Sequence, residues 1–228
     1  NNPGMYDVTL QVSNGLGSDT KIANDMVIVS SSTAQFQSNW GYVESFWSAS
    51  DFEENFIVFN QDNSVNGWEF HSSPNGGSTG WESVRMYNWQ NKLEEIDELI
   101  SPSYNLSTVN NPTLQFRYSG AAYDNTPNDE LRIMASDDCG ESWSTRETLS
   151  DFELTNAGLV SESYRPTANS TWTDVSVGLG SFANKPNVRI KFRWVSGGRF
   201  GNNFYMDDIT LSGSPLGMDD LERQIDLN

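Results

Sequence analysis

Cysteine and histidine are almost absent from this sequence of 228 residues, which holds one of each, Cys139 and His71. A single cysteine excludes an intramolecular disulfide and a cysteine-based zinc site. A single histidine excludes the two-histidine helix motif of metallopeptidases and argues against a Ser-His-Asp triad. His71 opens a stretch rich in Gly, Ser and Pro, residues 71–80, so we expect a solvated loop residue there.

Basic residues are scarce: 13 Lys and Arg stand against 31 Asp and Glu, for a formal net charge of −18. A surface this acidic repels phosphate backbones and anionic lipids, which argues against nucleic acid and anionic membranes as partners. No run approaches the roughly 18 apolar residues of a membrane span, so we expect no membrane insertion. The acidity suits a secreted protein in a Ca²⁺-containing medium. Because no signal peptide opens the sequence, we expect a mature internal piece of an exported protein.

Long helical periods are also rare, and short apolar-alternating runs separated by turn residues dominate the sequence. Such runs, at intervals of about 10 to 15 residues, predict an all-β sandwich, and the length favours a jelly roll. One helical turn is expected at residues 50–54, with Ser50 as its N-cap and Glu53 three residues on. Residues 91–100 have helix-like spacing, but they end at a Ser-Pro pair, so we predict that their last part is a strand.

The clearest strand pair lies in residues 186–212, where a bend rich in Gly and Asn joins two alternating runs. In the first run every second residue from position 188 to 194 is apolar, which defines a buried face. In the second run, alternation places Asp207 on the same face as Ile209 and Leu211. An inward carboxylate is costly unless a positive group or hydrogen-bond donors meet it, so Asp207 is the chemical anomaly of the chain.

Three kinds of partner would satisfy this carboxylate. A hard cation such as Ca²⁺ takes several oxygen ligands at once, from carboxylates and backbone carbonyls. Arg189 or Arg193 would neutralise Asp207 by an ion pair. Alternatively, Asp207 caps a loop through hydrogen bonds alone.

Residues 136–143 match the S-x-D-x-G-x-x-W hairpin known as an Asp box. The local physics predicts that Asp138 accepts hydrogen bonds from backbone N–H groups, Gly140 supplies a positive φ and Trp143 packs beneath the turn. We assign this hairpin a structural role, and Cys139 within it an inert thiol.

Residues 1–30 predict two short strands joined at an Asn-Gly bend. Their pattern from residue 3 to residue 20, PGxYxVxLxVxNxxGSDT, resembles the last two strands of a PKD domain, an immunoglobulin-like module of secreted bacterial enzymes; an ordinary hairpin of the following domain is the alternative. We then predict a polar linker at 31–40, one β domain at 41–213 and an acidic tether at 214–228. This order is similar to the layout just ahead of a type IX secretion sorting domain.

Four segments carry a family resemblance that covers residues 41–213. They are residues 43–46 (VESF), 97–102 (DELISP), 136–143 (SDDCGESW) and 201–209 (GNNFYMDDI). Together they resemble the MAM-like jelly rolls called cleaved-adhesin or choice-of-anchor domains. These domains occur in secreted proteins of Bacteroidetes, including the adhesin regions of gingipains and the C-terminal parts of pappalysin-type zinc metallopeptidases.

The resemblance implies a structural Ca²⁺, because jelly rolls of this group commonly hold one. The matching positions are Glu44 in the first strand and Asp207 in the last, with Asp208 as a weaker candidate. A shared ion would clamp the ends of the domain together. Asp62, between the two asparagines of residues 60–63, is a second oxygen-ligand candidate, although such Asn and Asp loops usually only make turns.

The leading functional hypothesis is a non-catalytic accessory module that binds a polysaccharide or an extracellular protein polymer, or stabilises neighbouring domains. Sugar rings pack on flat apolar faces, and tryptophans could form such a platform. The alternative for each tryptophan is the sandwich core, where we place Trp172 in a strand at 171–177. The candidate platform residues are Trp40, Trp47, Trp68, Trp81 and Trp89.

Two other hypotheses remain open. A β-sandwich glycoside hydrolase or lyase would need a pair of carboxylates, which the cluster Glu94, Glu95, Asp97 and Glu98 offers, although a cluster this dense usually faces solvent. Alternatively, the parent protein is a secreted zinc metallopeptidase whose catalytic domain lies upstream. In that case no catalytic residue lies in this chain.

Overall fold

The computed structural model of the chain describes residues 4–29, 34–35, 41–60, 64–73, 75–92 and 94–215. These residues contain one short α-helix, Ala49–Asn55, and two single turns of 3₁₀ helix, Asp151–Leu154 and Gly180–Phe182. The strands are β1 Gly4–Asn14, β2 Gly17–Val29, β3 Ala34–Gln35, β4 Tyr42–Glu44, β5 Ile57–Asn60, β6 Gly67–Ser72, β7 Glu82–Tyr87, β8 Ile96–Ile100, β9 Tyr104–Asn105, β10 Val109–Gly120, β11 Glu130–Ser136, β12 Ser144–Ser150, β13 Thr173–Gly178, β14 Arg189–Val195 and β15 Phe204–Pro215.

Two antiparallel sheets form the body of the molecule. One sheet has the strand order β13-β10-β15-β7-β6, with β4 paired to the far end of β15. The other has the order β12-β11-β14-β8-β5. The sheets cover each other with their apolar faces, which confirms the predicted all-β jelly-roll sandwich.

The core lies between the two sheets and contains most of the large apolar side chains. Ile190, Phe192 and Trp194 of β14 are all buried, as their alternation predicts. Trp194 meets Trp68 of β6 edge to face, with 6.4 Å between ring centroids. On the opposite face of β14, Lys191 places its Nζ 2.8 Å from Glu98 Oε2. The strand is therefore apolar inside and ion-paired outside.

The strand predicted at the end of residues 91–100 and the helical turn predicted at residues 50–54 have different outcomes. Residues 96–100 form strand β8, so the predicted strand at the end of that segment is confirmed. The short helix begins two residues earlier than predicted, because its N-cap is Ser48 and not Ser50. Ser48 Oγ accepts a hydrogen bond of 3.1 Å from Asp51 N. Sequence alone could not choose between the two serines, since both precede acidic residues at capping distance.

The Asp-box hairpin has the predicted structure. Asp138 Oδ1 and Oδ2 each accept from Ser142 N at 3.0 Å, and Gly140 has a φ of +89°. Trp143 Nε1 donates to the Gly140 carbonyl oxygen at 3.0 Å. The hydrogen bonds from Ser142 and Ser136 hold the pKa of Asp138 below its usual range, which marks this carboxylate as a turn-capping group.

The N-terminal hairpin, β1 and β2, is a two-stranded sheet of its own. Several of its apolar side chains are exposed, among them Leu10, Val12, Ile22 and Met26. Within the predicted linker, residues 34–35 form β3, which pairs with β9 of the sandwich. The assignment of the hairpin to a PKD domain stays a prediction. Of the tether predicted at 214–228, residues 214 and 215 form the end of β15 and pair with β10, and the rest lies outside the described residues.

Candidate functional site

Asp207 lies on the outer face of its sheet, so the predicted orientation toward the core is wrong. Met206 belongs to the core, whereas Tyr205 packs in a separate outer cluster with Tyr164. A β-bulge follows, because the pairing of β15 with β10 shifts after Asp207 and Asp208 has a φ of +52°. The bulge reverses the alternation and returns Ile209 to the core.

Asp207 is nevertheless only 1% exposed, because the loop between β6 and β7 folds over it. Its Oδ2 accepts from Ser78 N at 2.8 Å and its Oδ1 accepts from Asp208 N at 2.7 Å. Burial, together with the neighbouring Asp208 carboxylate, raises the pKa of Asp207 to about 7. Among the described residues no Lys or Arg forms an ion pair with Asp207. Of the three predicted kinds of partner, the structure therefore shows hydrogen bonds from backbone N–H groups, through which Asp207 caps the loop.

The two arginines considered as partners are engaged elsewhere. Arg193 Nε lies 3.2 Å from Glu98 Oε1, and Arg189 Nη1 donates to the Cys139 carbonyl oxygen at 3.2 Å. Both belong to β14, which lies in the opposite sheet from Asp207. The predicted alternative that Arg189 or Arg193 forms an ion pair with Asp207 is therefore wrong.

Glu44 pairs with Ile209 across β4 and β15, and so its side chain lies on the core side of the sheet. Its Oε1 accepts from Phe46 N at 2.7 Å and its Oε2 from the Tyr42 hydroxyl at 3.2 Å. Burial raises the pKa of Glu44. The described residues contain no group of three His, Cys, Asp or Glu side chains arranged to hold a metal ion. Calcium binding at Glu44, Asp207 and Asp208 stays a prediction, and Asp62 lies outside the described residues.

The loop over Asp207 is held by a dense set of hydrogen bonds. Gly76 N donates to the Ser73 carbonyl oxygen at 2.7 Å, and Ser83 Oγ donates to the Gly76 carbonyl oxygen at 2.7 Å. The Ser78 hydroxyl bonds to Asp208 Oδ2, and Arg117 Nη1 reaches the same hydroxyl at 3.4 Å. The loop is therefore fixed at both ends and at its tip, which favours one conformation.

Gly77 and Gly80 provide a matched test of this packing. A Cβ at Gly77 would lie 2.1 Å from the Glu82 carbonyl oxygen and 3.0 Å from Asp207 Oδ2, whereas a Cβ at Gly80 meets nothing closer than 3.7 Å. We expect Gly77→Ala to lower the free energy of unfolding by about 1–3 kcal/mol, because it forces backbone apart. Gly80→Ala should change it by less than about 0.5 kcal/mol. Urea denaturation measures both, and equal effects would contradict this account of the loop.

A second segment, residues 167–172, runs opposite this loop. Thr167 N donates to Ser170 Oγ at 2.8 Å and Ser170 N donates to the Thr167 carbonyl oxygen at 2.9 Å, which closes a tight turn. Trp172 comes just before β13 and not within the strand, so its predicted place in the core is wrong. Its half-buried side chain packs against the outer cluster that contains Tyr164 and Tyr205.

Between the two segments lies an open groove of about 410 Å³, which we call the tryptophan groove. This volume is within the range of about 300–1,000 Å³ of pockets that bind small molecules. Two tryptophans are among its lining residues, Trp81 and Trp172, and Trp81 is 59% exposed. All of the described lining residues are uncharged: Asn75, Gly77, Ser78, Thr79, Gly80, Trp81, Thr167, Ala168, Ser170 and Trp172. The groove thus combines flat apolar faces with neutral hydroxyl and amide groups.

The other predicted tryptophans have different places. Trp68 is buried in the core, which excludes it from a binding platform. Trp89 is half-buried against Tyr123, with 5.5 Å between ring centroids. Trp47 is 80% exposed and free to meet a ligand. Trp40 lies outside the described residues.

His71 is a buried strand residue of β6, so its predicted place in a solvated loop is wrong. Its Nε2 lies 2.9 Å from Ser73 Oγ, and its ring meets that of Tyr205 edge to face. Burial, reinforced by Arg85 and Arg165, lowers the pKa of His71 to about 4. The ring is therefore neutral at pH 7 and acts as a packing group of the outer face.

The four carboxylates considered for hydrolysis do not converge. Asp97 and Glu98 are neighbours on β8 and point to opposite faces, and both are buried, which contradicts the expectation of a solvated cluster. Glu98 forms the ion pairs with β14 described above. Glu95 Oε2 accepts from Asn91 Nδ2 at 2.9 Å, in a network of amides. Only Glu94 is exposed.

The two-sheet architecture of this chain is similar to that of several solved structures. The fold is similar to the K1 cleaved adhesin domain of Lys-gingipain from Porphyromonas gingivalis, with a TM-score of 0.53 and 15% identity over 76% of this chain and 98% of that one. The K2 domain of Lys-gingipain has a TM-score of 0.53 and 20% identity, over 75% of this chain and 98% of that one. A third similar structure is CBM28, a non-crystalline cellulose specific carbohydrate-binding module. Its TM-score is 0.51 and its sequence identity is 9%, over 75% of this chain and 93% of that one.

The chain has the cleaved-adhesin fold. The resemblance stated from the four sequence segments is thereby confirmed as a likeness of fold. No protein-family model matches the chain, and neither does any curated protein sequence. In the described part of the chain, no helix has the length and apolar character that a membrane span requires.

Proposed function

We propose that this chain is a non-catalytic module of an extracellular protein and that it binds a polysaccharide in the tryptophan groove. The observation that carries the proposal is the placement of Trp81 and Trp172 on one preformed, uncharged groove. Neither indole belongs to the core between the two sheets, although Trp172 also packs against the outer cluster of Tyr164 and Tyr205. The similarity of fold to an adhesin domain and to a carbohydrate-binding module supports the same class of function.

The chemistry of the groove suits a sugar chain. A pyranose ring has an apolar face of C–H groups that stacks on an indole, and its edge carries hydroxyls that exchange hydrogen bonds with small polar side chains. Thr79 and Thr167, which are among the lining residues, carry such hydroxyls, whereas the Ser78 hydroxyl is already bonded to Asp208. Because hydrogen bonds fix both walls, little conformational entropy is lost on binding.

The distribution of acidic side chains supports binding without hydrolysis. Glycoside hydrolysis needs two carboxyl groups that flank one sugar bond, about 5–10 Å apart. The described lining of the groove offers none, and the acidic residues of 94–98 are either engaged in structural contacts or isolated at the surface. Any enzymatic activity of the parent protein, including that of a zinc metallopeptidase, would then belong to another domain.

The exposed apolar side chains of the N-terminal hairpin support attachment to a neighbouring domain, in keeping with a PKD module. Leu10 is 62% exposed and Val12 61%, on strands that have no third strand beside them among the described residues. Two-stranded hairpins are marginally stable alone. Export by type IX secretion would place such a protein outside the cell. An acidic protein surface suits that location, and polysaccharides are common there.

A structural Ca²⁺ remains part of the proposal, with Asp207 as its anchor. The fit is favourable at this residue, since its carboxylate is buried, has no described cation partner and lies beside the Asp208 carboxylate. Glu44 faces the core side of the sheet, so the remaining oxygen ligands would have to come from backbone carbonyls of the covering loop. The ion would supply a positive charge that fixes the loop and hence one wall of the groove.

The proposed function is tested by retention on insoluble polysaccharides. We expect the chain to be pulled down by at least one member of a panel of cellulose, xylan, mannan, curdlan and chitin, and to release no reducing ends from it. Soluble sugar from that polysaccharide should elute the bound chain, because a specific site is competed by its own ligand. Retention by none of these and by no anionic polysaccharide would contradict the function, and sustained hydrolysis would show an enzyme.

A further inference from the structure

A second hollow adjoins the tryptophan groove across the tip of the same loop. It has a volume of about 150 Å³ and is lined by Ser45, Trp47, Thr79, Gly80, Glu82 and Asp207. Thr79 and Gly80 also line the groove, so the two depressions share a wall. We call this second depression the Trp47 hollow.

Trp47 is held in place by its neighbours while its own side chain remains in solvent. On one side Phe46 is fully buried, has a φ of +51° and donates its N–H to Glu44 Oε1. On the other side Ser48 is the N-cap of the short helix. The backbone of Trp47 is therefore fixed at both ends, and its indole is presented at 80% exposure. Because the backbone is fixed, only side-chain freedom of the exposed indole is lost when a ligand covers it.

The charges around the two depressions select the kind of polysaccharide. The described lining of the groove is neutral, and the Trp47 hollow adds two carboxylates, Glu82 and Asp207, but no basic side chain. The chain as a whole carries a formal charge of −18. An anionic polymer would be repelled on approach and would find no Lys or Arg to pair with among the described lining residues.

From this juxtaposition we infer that Trp47 is a second stacking position, and that the ligand is a neutral polysaccharide bound along its length across both depressions. This inference rests on the proposed function and specifies its ligand. A sugar chain presents the same ring face repeatedly, so aromatic side chains in adjoining depressions engage different units of one chain. Each additional unit that reaches an indole adds affinity. A single terminal sugar would engage one depression only.

Chain length is therefore the measurement that tests the inference. Titration calorimetry with neutral gluco-, xylo- and manno-oligosaccharides of two to six units should show affinity that rises about tenfold beyond the length that fills the groove. That gain corresponds to one stacking contact. In Trp47→Ala the short oligosaccharides should bind as in the wild type, and the gain with length should disappear. Oligogalacturonides, the anionic counterparts, should not bind to either protein.

Two controls keep the test specific. Phe152 is 61% exposed and lies outside both depressions, so Phe152→Ala removes an exposed aromatic ring without touching the site. Both variants should melt at the wild-type temperature, since neither side chain is part of the core.

The outcomes separate this inference from the proposed function. If Trp47→Ala keeps the full gain with chain length, the Trp47 hollow is not part of the site, although binding in the groove stands. If anionic polysaccharides are retained in preference to neutral ones, the ligand class is wrong, and the module still binds a glycan. If no neutral oligosaccharide of any length binds the wild type, the inference is overturned.

Discussion

Trp81→Ala is expected to abolish most of the polysaccharide affinity while leaving the fold intact. A nucleobase stacked on an aromatic side chain gains about 1–3 kcal/mol, and a comparable gain for a sugar ring on Trp81 corresponds to a loss of roughly 5- to 150-fold in affinity. The stability of the chain should not change, because the indole is 59% exposed and the backbone of Trp81 keeps its hydrogen bond to Ser73 N. Affinity electrophoresis in gels that contain the retained polysaccharide measures the loss directly.

Two further variants define what that loss means. Trp81→Phe keeps a smaller flat face, so it should recover part of the affinity that Trp81→Ala loses. Phe152→Ala, matched in exposure at 61%, should bind as the wild type does. Wild-type retention by Trp81→Ala would show that the ligand is held elsewhere on the molecule, and equal losses in Trp81→Ala and Phe152→Ala would indicate non-specific adhesion.

The buried carboxylate of Asp207 is expected to make the chain less stable as the pH rises. A folded-state pKa of about 7, above the unfolded value of 3.8, means that the folded chain holds this proton more tightly than the unfolded chain does. Stability from this group is therefore fully present below about pH 4 and is lost as the pH rises to about 7. The shift corresponds to a loss on the order of 4 kcal/mol.

Asp207→Asn should flatten this pH dependence in the presence of a chelator. Denaturation at pH 4 and pH 8 measures the change, and part of the slope should remain because burial also raises the pKa of Asp129 to about 6. Asp19→Asn is the control, since it removes one exposed carboxylate from the separate two-stranded sheet of the N-terminal hairpin. An unaltered slope in Asp207→Asn would mean that this carboxylate is not the group that titrates.

The same experiment tests the predicted calcium ion. Calcium binds the ionised carboxylate, so adding it at pH 8 should raise the melting temperature of the wild type. Asp207→Asn should lose that response. Identical melting curves with calcium and with chelator would remove the ion from the account, and the loop would then depend on hydrogen bonds alone.

The sequence predicted the sheets because alternation is a local property. The apolar positions of 188–194 and the turn chemistry of the Asp box each determine their own structure within a few residues. The alternation also marked Asp207 as unusual, and burial of this carboxylate is observed. Its direction was missed because a single bulge at Asp208 exchanges the two faces of the strand. Aspartate tolerates positive φ better than most residues, and the Asp-Asp pair was the available signal.

The groove was harder to predict because its walls are remote in sequence. Residues 75–81 and 167–172 are brought together by the pairing of β7 and β10 with β15 and of β13 with β10, which no local pattern encodes. Trp81 was a candidate on its residue type alone. Trp172 was assigned to the core because it precedes an apolar strand, and a position one residue outside a strand differs little in sequence from a position within it.

The most direct test of the central claim is a crystal structure of the chain with a neutral oligosaccharide of the polysaccharide that retains it. We expect a pyranose ring parallel to the indole of Trp81, with its hydroxyls within hydrogen-bond distance of the walls of the groove and the chain directed toward Trp47. A sugar bound on the outer face of the sheet β12-β11-β14-β8-β5, or beside Trp89 and Tyr123, with the tryptophan groove empty, would contradict the proposed function.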